Sequence, residues 1–380
     1  MQTQLEILRQ LSKRYGTDKD YIIASGGNSS YKTADYLWIT ASGSFLGKLQ
    51  DTDLLKLSRK KLAKLRSKNY GSDARKREED VKNDLVSSMT DTGTNKRPSV
   101  ETSIHDLIEY AYVIHTHPTR VNGLLCSNQA ESMTKKLFGE MALYVAYQDP
   151  GYTLFKKVEQ GVLAFRRERK RDPKLIFIQN HGIFVGSDSP EEIIRLYAMV
   201  DETISKEITI YPDVSQRSID KQILAIMPEV RNMVSKERLM FMKVRNHALI
   251  ESYLENESLF EKISRPFTPD IIVFCKSRYL YVNVEKNSEK ILNALEKGLK
   301  KFQSDYGYLP KILLVKHLGM ISVSDNEKYS EIILDIFEDL IKISCYSENF
   351  GGPHFMNDRE VTFIEEWEAE KYRYEMARKT

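Results

Sequence analysis

The segment AYVIHTHPTR, residues 111–120, places His115 and His117 two residues apart at the end of an apolar run, in a chain with only seven histidines. In a β-strand, residues i and i+2 share a face, so the two imidazoles would converge on one point. A third histidine, His181, falls at the turn of an expected strand hairpin, KLIFIQNHGIFVGSD, a rigid loop position of the kind where ligands gather. Three ring nitrogens with a fourth position open are the arrangement of a catalytic zinc; structural zinc takes four closed ligands, often cysteines. The three cysteines, Cys126, Cys275 and Cys345, have no ligand-like neighbours. Taken alone, a His-x-His pair is more often a pair of satisfied core histidines, so its surroundings must decide.

Composition narrows the classes. A chain of 380 residues implies two domains or one elaborated one, and 41% apolar with 29% charged residues is ordinary for a globular protein. Fifty-seven basic against 54 acidic residues leave a net charge of +3, so no global field favours nucleic acid or an anionic membrane. Scattered cysteines, a polar amphipathic N-terminus without an apolar signal core and no apolar run of membrane length lead us to expect a cytoplasmic protein.

The elements that must position the histidines can be read in order. TQLEILRQLSKRYG reads as a helix closed by Gly16. YIIASGGNSSYK and YLWITASGSFLGKL read as strands, each meeting a glycine turn. Residues 53–90, dense in charge, read as solvated helix and loop. SVETSIHDLIEYA has helical spacing, and YVIHTH follows as a strand. SPEEIIRLYAMVDETISKEI reads as a helix with Ser189 as cap, Pro190 in its first turn, and Glu191 and Glu192 at the positive end of its dipole.

After an expected helical connector over residues 206–262, something repeats. PKLIFIQNHGIFVGSD (173–188) and PKILLVKHLGMISVSD (310–325) align without a gap, and each precedes an amphipathic helix. We read the second as a diverged copy of the same supersecondary unit. There His181 corresponds to Leu318, while His317 stands opposite Asn180, so the copy is expected to hold no catalytic metal. Phe363, Trp367 and Tyr372 in FIEEWEAEKYRYE are expected to anchor a terminal helix on that copy.

Together, GGNSSYK, WITASGS, RPSVE, IHTHP and QNHGIFVG stand in the order and spacing of the class II aldolase/adducin family, and over about residues 5–205 the chain resembles it. FTPDIIVF and FIEEWEAEKYRYE extend the likeness to the aldolase part of rhamnulose-1-phosphate aldolase/short-chain dehydrogenase fusions; no Gly-x-Gly-x-x-Gly follows a strand, so the dehydrogenase part is not expected in this chain. The resemblance implies an α/β fold with a mainly antiparallel central sheet flanked by helices. Residues 1–205 would form the catalytic domain and residues 263–380 a smaller diverged second copy without metal ligands.

The same resemblance assigns roles. His115, His117 and His181 fall on the ligands of Zn2+ or another divalent metal, and Glu101 on the acid/base, although Glu101 also suits a helix N-terminus. Gly27, Asn28, Ser42, Gly43 and Ser99 fall on a phosphate cradle, where glycines allow close approach and N–H and hydroxyl groups donate to an anion. The sequence departs from the short aldolases at Val100, where a second serine is common; Lys32, Lys48 and Arg97 are candidate substitutes. The implied reaction is metal-dependent aldol cleavage of a ketose 1-phosphate into dihydroxyacetone phosphate and a short aldehyde by a homo-oligomer, with a tyrosine of a neighbouring subunit as proton donor. Tyr144, Tyr147 and Tyr152 are candidates. Sugar-phosphate epimerisation or dehydration on the same scaffold, and a non-catalytic adducin-like assembly module, are the competing readings.

Overall fold

The computed structural model describes residues 2–91 and 93–379, with side chains to residue 376. The chain packs as two compact units: the first runs to Ile208 and resumes at Glu366, and the second is Thr209–Glu365.

The first unit is built on seven strands: β1 (Asn28–Lys32), β2 (Tyr36–Thr40), β3 (Leu54–Ser58), β4 (Tyr112–Thr116), β5 (Ala142–Val145), β6 (Leu175–Ile178) and β7 (Gly182–Ser187). They lie in the order β3-β2-β1-β4-β7-β6-β5, and only the β5–β6 pair is parallel. This is the expected mainly antiparallel sheet. Strands β4 and β7 are buried along their whole length, as their runs of Val, Ile and Phe demand. On the face that Val113 shares with His115, the helix Tyr152–Arg169 packs Phe155, Val158 and Val162 into a cluster with Val113, Ile176 and Phe184. On the other face, the Tyr197 hydroxyl from the helix Pro190–Ser205 lies 2.9 Å from Thr116 Oγ1. That helix starts as expected: the Ser189 side chain accepts from Glu192 N, with Pro190 in the first turn.

One strand was hidden by charge. Within residues 53–90, expected as helix and loop, β3 alternates buried Leu55 and Leu57 with half-exposed neighbours and forms a sheet edge before two helices follow. Its solvent face carries the lysine and serine that masked it.

The second unit has four strands: β8 (Phe241–Arg245), β9 (Leu280–Val282), β10 (Ile312–Val315) and β11 (Gly319–Ser324), in the order β8-β11-β10-β9 with only β9–β10 parallel. This repeats β4-β7-β6-β5 strand for strand and sense for sense. The register agrees: Leu143 opposes Ile176 as Leu280 opposes Leu313. Even the helix contacts recur, since a Cβ on Gly161 would meet Leu143 at 2.9 Å and one on Gly298 would meet Leu280 at 2.9 Å. The hairpin copy seen in the sequence is therefore one part of a duplicated half-sheet.

Two expectations change. Residues 206–262 are not only a helical connector, because they supply β8, whose single polar-apolar stretch, FMKVR, gave a weak strand signal. The terminal helix, Glu368–Lys379, belongs to the first unit, not to the copy. Trp367 packs against Gly151, the Tyr372 hydroxyl donates to Asn95 O, and Arg97 bonds Glu368 at 2.6 Å while its guanidinium lies 4.1 Å from the Tyr372 ring centre. Phe363 alone of the three expected anchors lies in the second unit. No helix among the described residues is long and apolar enough to cross a membrane.

Candidate metal centre

Strand β4 ends at Thr116 beside the β6–β7 hairpin, and this brings the three histidines together. Asn180 at the hairpin adopts φ +53°, in the left-handed region. Gly182 then runs so close to β4 that a Cβ there would lie 2.4 Å from Thr116 O and 2.7 Å from His117 Cδ2. The turn needs a residue without a side chain at this point, and the approach carries His181 to the end of β4.

One ring nitrogen from each of His115, His117 and His181 lies within 4.8 Å of the other two. His115 Nε2 is 2.9 Å from His117 Nε2 and 3.3 Å from His181 Nε2. Tetrahedral coordination at about 2.0–2.1 Å would set such nitrogens about 3.3 Å apart. His115 Nδ1 donates to Ile183 O at 2.9 Å, which leaves the Nε2 lone pair aimed at the shared point. Burial holds the His115 imidazole well below its usual range, so it stays neutral, as a ligand must be. The donor set fits a divalent ion with an open position.

Glu101 stands beside that point. Its Oε1 lies 3.2 Å from His181 Nε2 and 3.4 Å from His115 Nε2, and it is a buried oxygen without a hydrogen bond. Burial alone would raise this carboxyl, yet it is held well below the carboxylate range, with the Asn28 amide that donates to Oε2 among the groups that favour its charged form. Glu101 is also the residue preceding the helix Thr102–Leu107, so its structural and chemical roles coincide.

The other predicted residues divide into two groups. Asn28 opposes His115 across the β1–β4 pair. Its Nδ2 donates to Glu101 Oε2 at 2.5 Å and to Ser99 Oγ at 3.1 Å, and its Oδ1 lies 2.5 Å from His105 Nε2. The carboxamide is thus fully used within the protein. Ser99 Oγ accepts from Asn28 and from Glu101 N (3.2 Å), which leaves its own proton to donate. Gly27, at φ +68°, approaches His115 O so closely that a Cβ would lie 2.5 Å from it. The second turn lies alongside: Ser42 N donates to Arg97 O at 2.8 Å, while Gly43, at φ +83°, faces Met376 of the terminal helix.

The basic substitutes are placed elsewhere. Lys32 is buried and donates to the carbonyls of Ile108 (2.8 Å) and Tyr110 (2.5 Å), and burial lowers its ammonium to about 7. Arg97 is held by Glu368 and Tyr372. Tyr152 donates its hydroxyl to Lys68 O at 3.3 Å. His105 and Ser30 are part of the site without having been singled out: Ser30 lies within the GGNSSYK motif, and the signal for His105 was that it falls one helical turn after Glu101.

The second unit holds none of these ligands. Gly319 lies against β8 as Gly182 lies against β4, with a Cβ at 2.5 Å from Arg245 O. Met320 opposes Arg245 where Ile183 opposes Thr116. The positions of His115, His117 and His181 are therefore taken by Val244, Asn246 and Leu318.

The class II aldolase and adducin N-terminal domain matches residues 8–207, and the aldolase class II second domain matches residues 221–309. The chain is 23% identical over 414 residues to "Uncharacterized oxidoreductase YuxG" of Bacillus subtilis, covering 98% of this chain but only 58% of that protein's length. It is 24% identical over 194 residues to L-fuculose phosphate aldolase of Methanocaldococcus jannaschii, covering 49% of this chain and 86% of that one. Among solved structures, the N-terminal class II aldolase domain of a conserved protein from Thermoplasma acidophilum is similar at a TM-score of 0.44 and 22% identity, over 52% of this chain and 91% of that chain.

Proposed function

For a chain that belongs to the class II aldolase and adducin family, we propose metal-dependent aldol cleavage of a ketose 1-phosphate to dihydroxyacetone phosphate and a short aldehyde, with zinc as the resident ion. The observation that carries this reading is the orphaned Glu101 Oε1 facing three imidazole nitrogens. An adducin-like assembly module would have no need of a complete, buried ligand set with a carboxylate beside it.

His115, His117 and His181 would hold the ion, which supplies a Lewis acid for charge that develops on the ketose oxygens. His115 keeps its lone pair directed inward through its bond to Ile183 O. As the carbon–carbon bond breaks, its electron pair stays with the phosphorylated fragment. Glu101 Oε1 then exchanges a proton with that fragment, while Oε2 remains anchored on Asn28. The Ser99 hydroxyl, the Gly27 turn, the Ser42 hydroxyl and the Gly43 main chain would receive the phosphate. The C4 hydroxyl must lose its proton as it becomes the aldehyde carbonyl, and a tyrosine of a neighbouring subunit of a homo-oligomer would take up that proton.

The test is a screen of ketose 1-phosphates with the zinc-loaded protein, reading released dihydroxyacetone phosphate through a coupled dehydrogenase. Release that disappears on chelation supports the reading. Epimerised or dehydrated product without carbon–carbon cleavage would replace it with one of the related reactions.

A further inference from the structure

We propose that His105 is a positioning residue that sets the orientation of Glu101 through the carboxamide of Asn28. This deepens the reading above, since it rests on Glu101 as the proton-transfer group. The four side chains Ser30, His105, Asn28 and Glu101 form one buried chain of hydrogen bonds, each at most 7% exposed.

The direction of every bond in this chain is fixed from one end. An ionised carboxylate only accepts, so the Asn28 group facing Glu101 Oε2 is Nδ2. The second proton of that amide goes to Ser99 Oγ. The Asn28 oxygen therefore faces the other way, towards His105 Nε2, and His105 must donate from that nitrogen. Burial pushes the His105 imidazole down to about 3, so the ring is neutral and its Nδ1 is an acceptor. The only proton left for Nδ1 is that of the Ser30 hydroxyl, 2.7 Å away. No alternative assignment satisfies all four groups.

Without the His105 donor, the carboxamide would be free to turn over and present its oxygen to the carboxylate. Glu101 would then lose an anchor on Oε2 and swing away from the histidine nitrogens. The ring is itself braced: His105 meets Phe184 edge-on at 5.4 Å between centroids, and Phe184 stacks on His115 at 3.9 Å. Its backbone N–H also donates to Glu101 O, one helical turn back. A purely structural histidine would need only some partner at each nitrogen; this one needs a particular proton on a particular nitrogen.

Two measurements on the full chain test the proposal. Histidine-selective 15N spectra at neutral pH report the tautomer directly, and the expected result is a proton on His105 Nε2 and none on Nδ1. The Nδ1–H tautomer would overturn the proposal, and this readout decides it even if no ketose 1-phosphate is cleaved. On a cleaved substrate, His105→Leu should lower kcat by about 10- to 100-fold with KM changed by less than about threefold and metal content intact. His105→Gln, whose side-chain amide can donate from near the position of Nε2, should recover most of that loss. In a Glu101→Gln background, His105→Leu should have little further effect, because the two act as a unit. A folded His105→Leu protein with normal kcat, or a His105→Gln protein as impaired as His105→Leu, would sink the role.

Discussion

Asn246 occupies in the second unit the position that His117 occupies in the first. Each follows the strand that a hairpin glycine crowds: a Cβ on Gly319 would lie 2.9 Å from Asn246 Cβ, and one on Gly182 would lie 2.7 Å from His117 Cδ2. The duplicated half-sheet has kept the close approach, while the three-histidine set is present in the first copy only.

That difference predicts two different outcomes for one kind of substitution. Gly182→Ala should cost about 1–3 kcal/mol by overpacking and also displace His117, so that bound metal falls with stability. Gly319→Ala should destabilise at least as much, because its φ of +101° is strained for alanine, yet leave the metal stoichiometry unchanged. Denaturant melts paired with elemental analysis check both. Metal loss in the Gly319 variant, with its first unit still folded, would contradict the assignment.

Glu101→Gln separates proton transfer from ligation. The amide keeps the volume and a partner for Asn28 but no longer exchanges a proton. Metal should remain bound, and turnover of a cleaved ketose 1-phosphate should fall by about 10²-fold. Near-normal turnover in the folded variant would remove Glu101 from the mechanism.

Lys32 gives a pH prediction. Its folded pKa of about 7 lies below its unfolded value, so between about pH 7 and 10 the unfolded chain holds a proton that the folded chain does not. Stability should therefore rise with pH in that window, by up to about 1.4 kcal/mol per pH unit from this group, and the penalty should be fully present below pH 7. Lys32→Met removes the group, so the stability of the wild type relative to the variant should climb from pH 7 to 10. A flat difference would show that Lys32 stays charged on its two carbonyl partners.

Trp367 tests where the chain's last helix belongs. It is 9% exposed and packs on Gly151 of the first unit. Trp367→Ala should cost about 3–5 kcal/mol, and hydrogen exchange should quicken around Gly151 and Arg97. Protection unchanged there, with loss confined to residues 209–365, would return the tail to the second unit.

Much of this was legible because backbone geometry wrote it into the sequence. His115 and His117 share a face by strand periodicity, and His181 is tied to a turn that the Asn-His-Gly sequence marks. The hairpin repeat was visible because both copies bury all of β6–β7 and β10–β11, which restricts those positions to apolar residues. Strand β3 was not legible, since an edge strand needs only Leu55 and Leu57 inside and leaves the rest free to carry charge. Strand β8 was missed for a related reason: Lys243 and Arg245 break its apolar pattern, and Arg245 finds Asp335 and Glu338 of the helix Glu327–Ser347 instead. His105 was beyond reach because its meaning depends on Ser30 and Asn28, which are distant in sequence and adjacent only once β1 is paired.

The central claim is most directly tested by the metal content of the protein. After loading with zinc and exhaustive dialysis, the wild type should retain one ion per chain, and the His115→Ala, His117→Ala, His181→Ala triple variant should retain none while its second unit remains folded. Stoichiometric zinc in that triple variant would contradict the account.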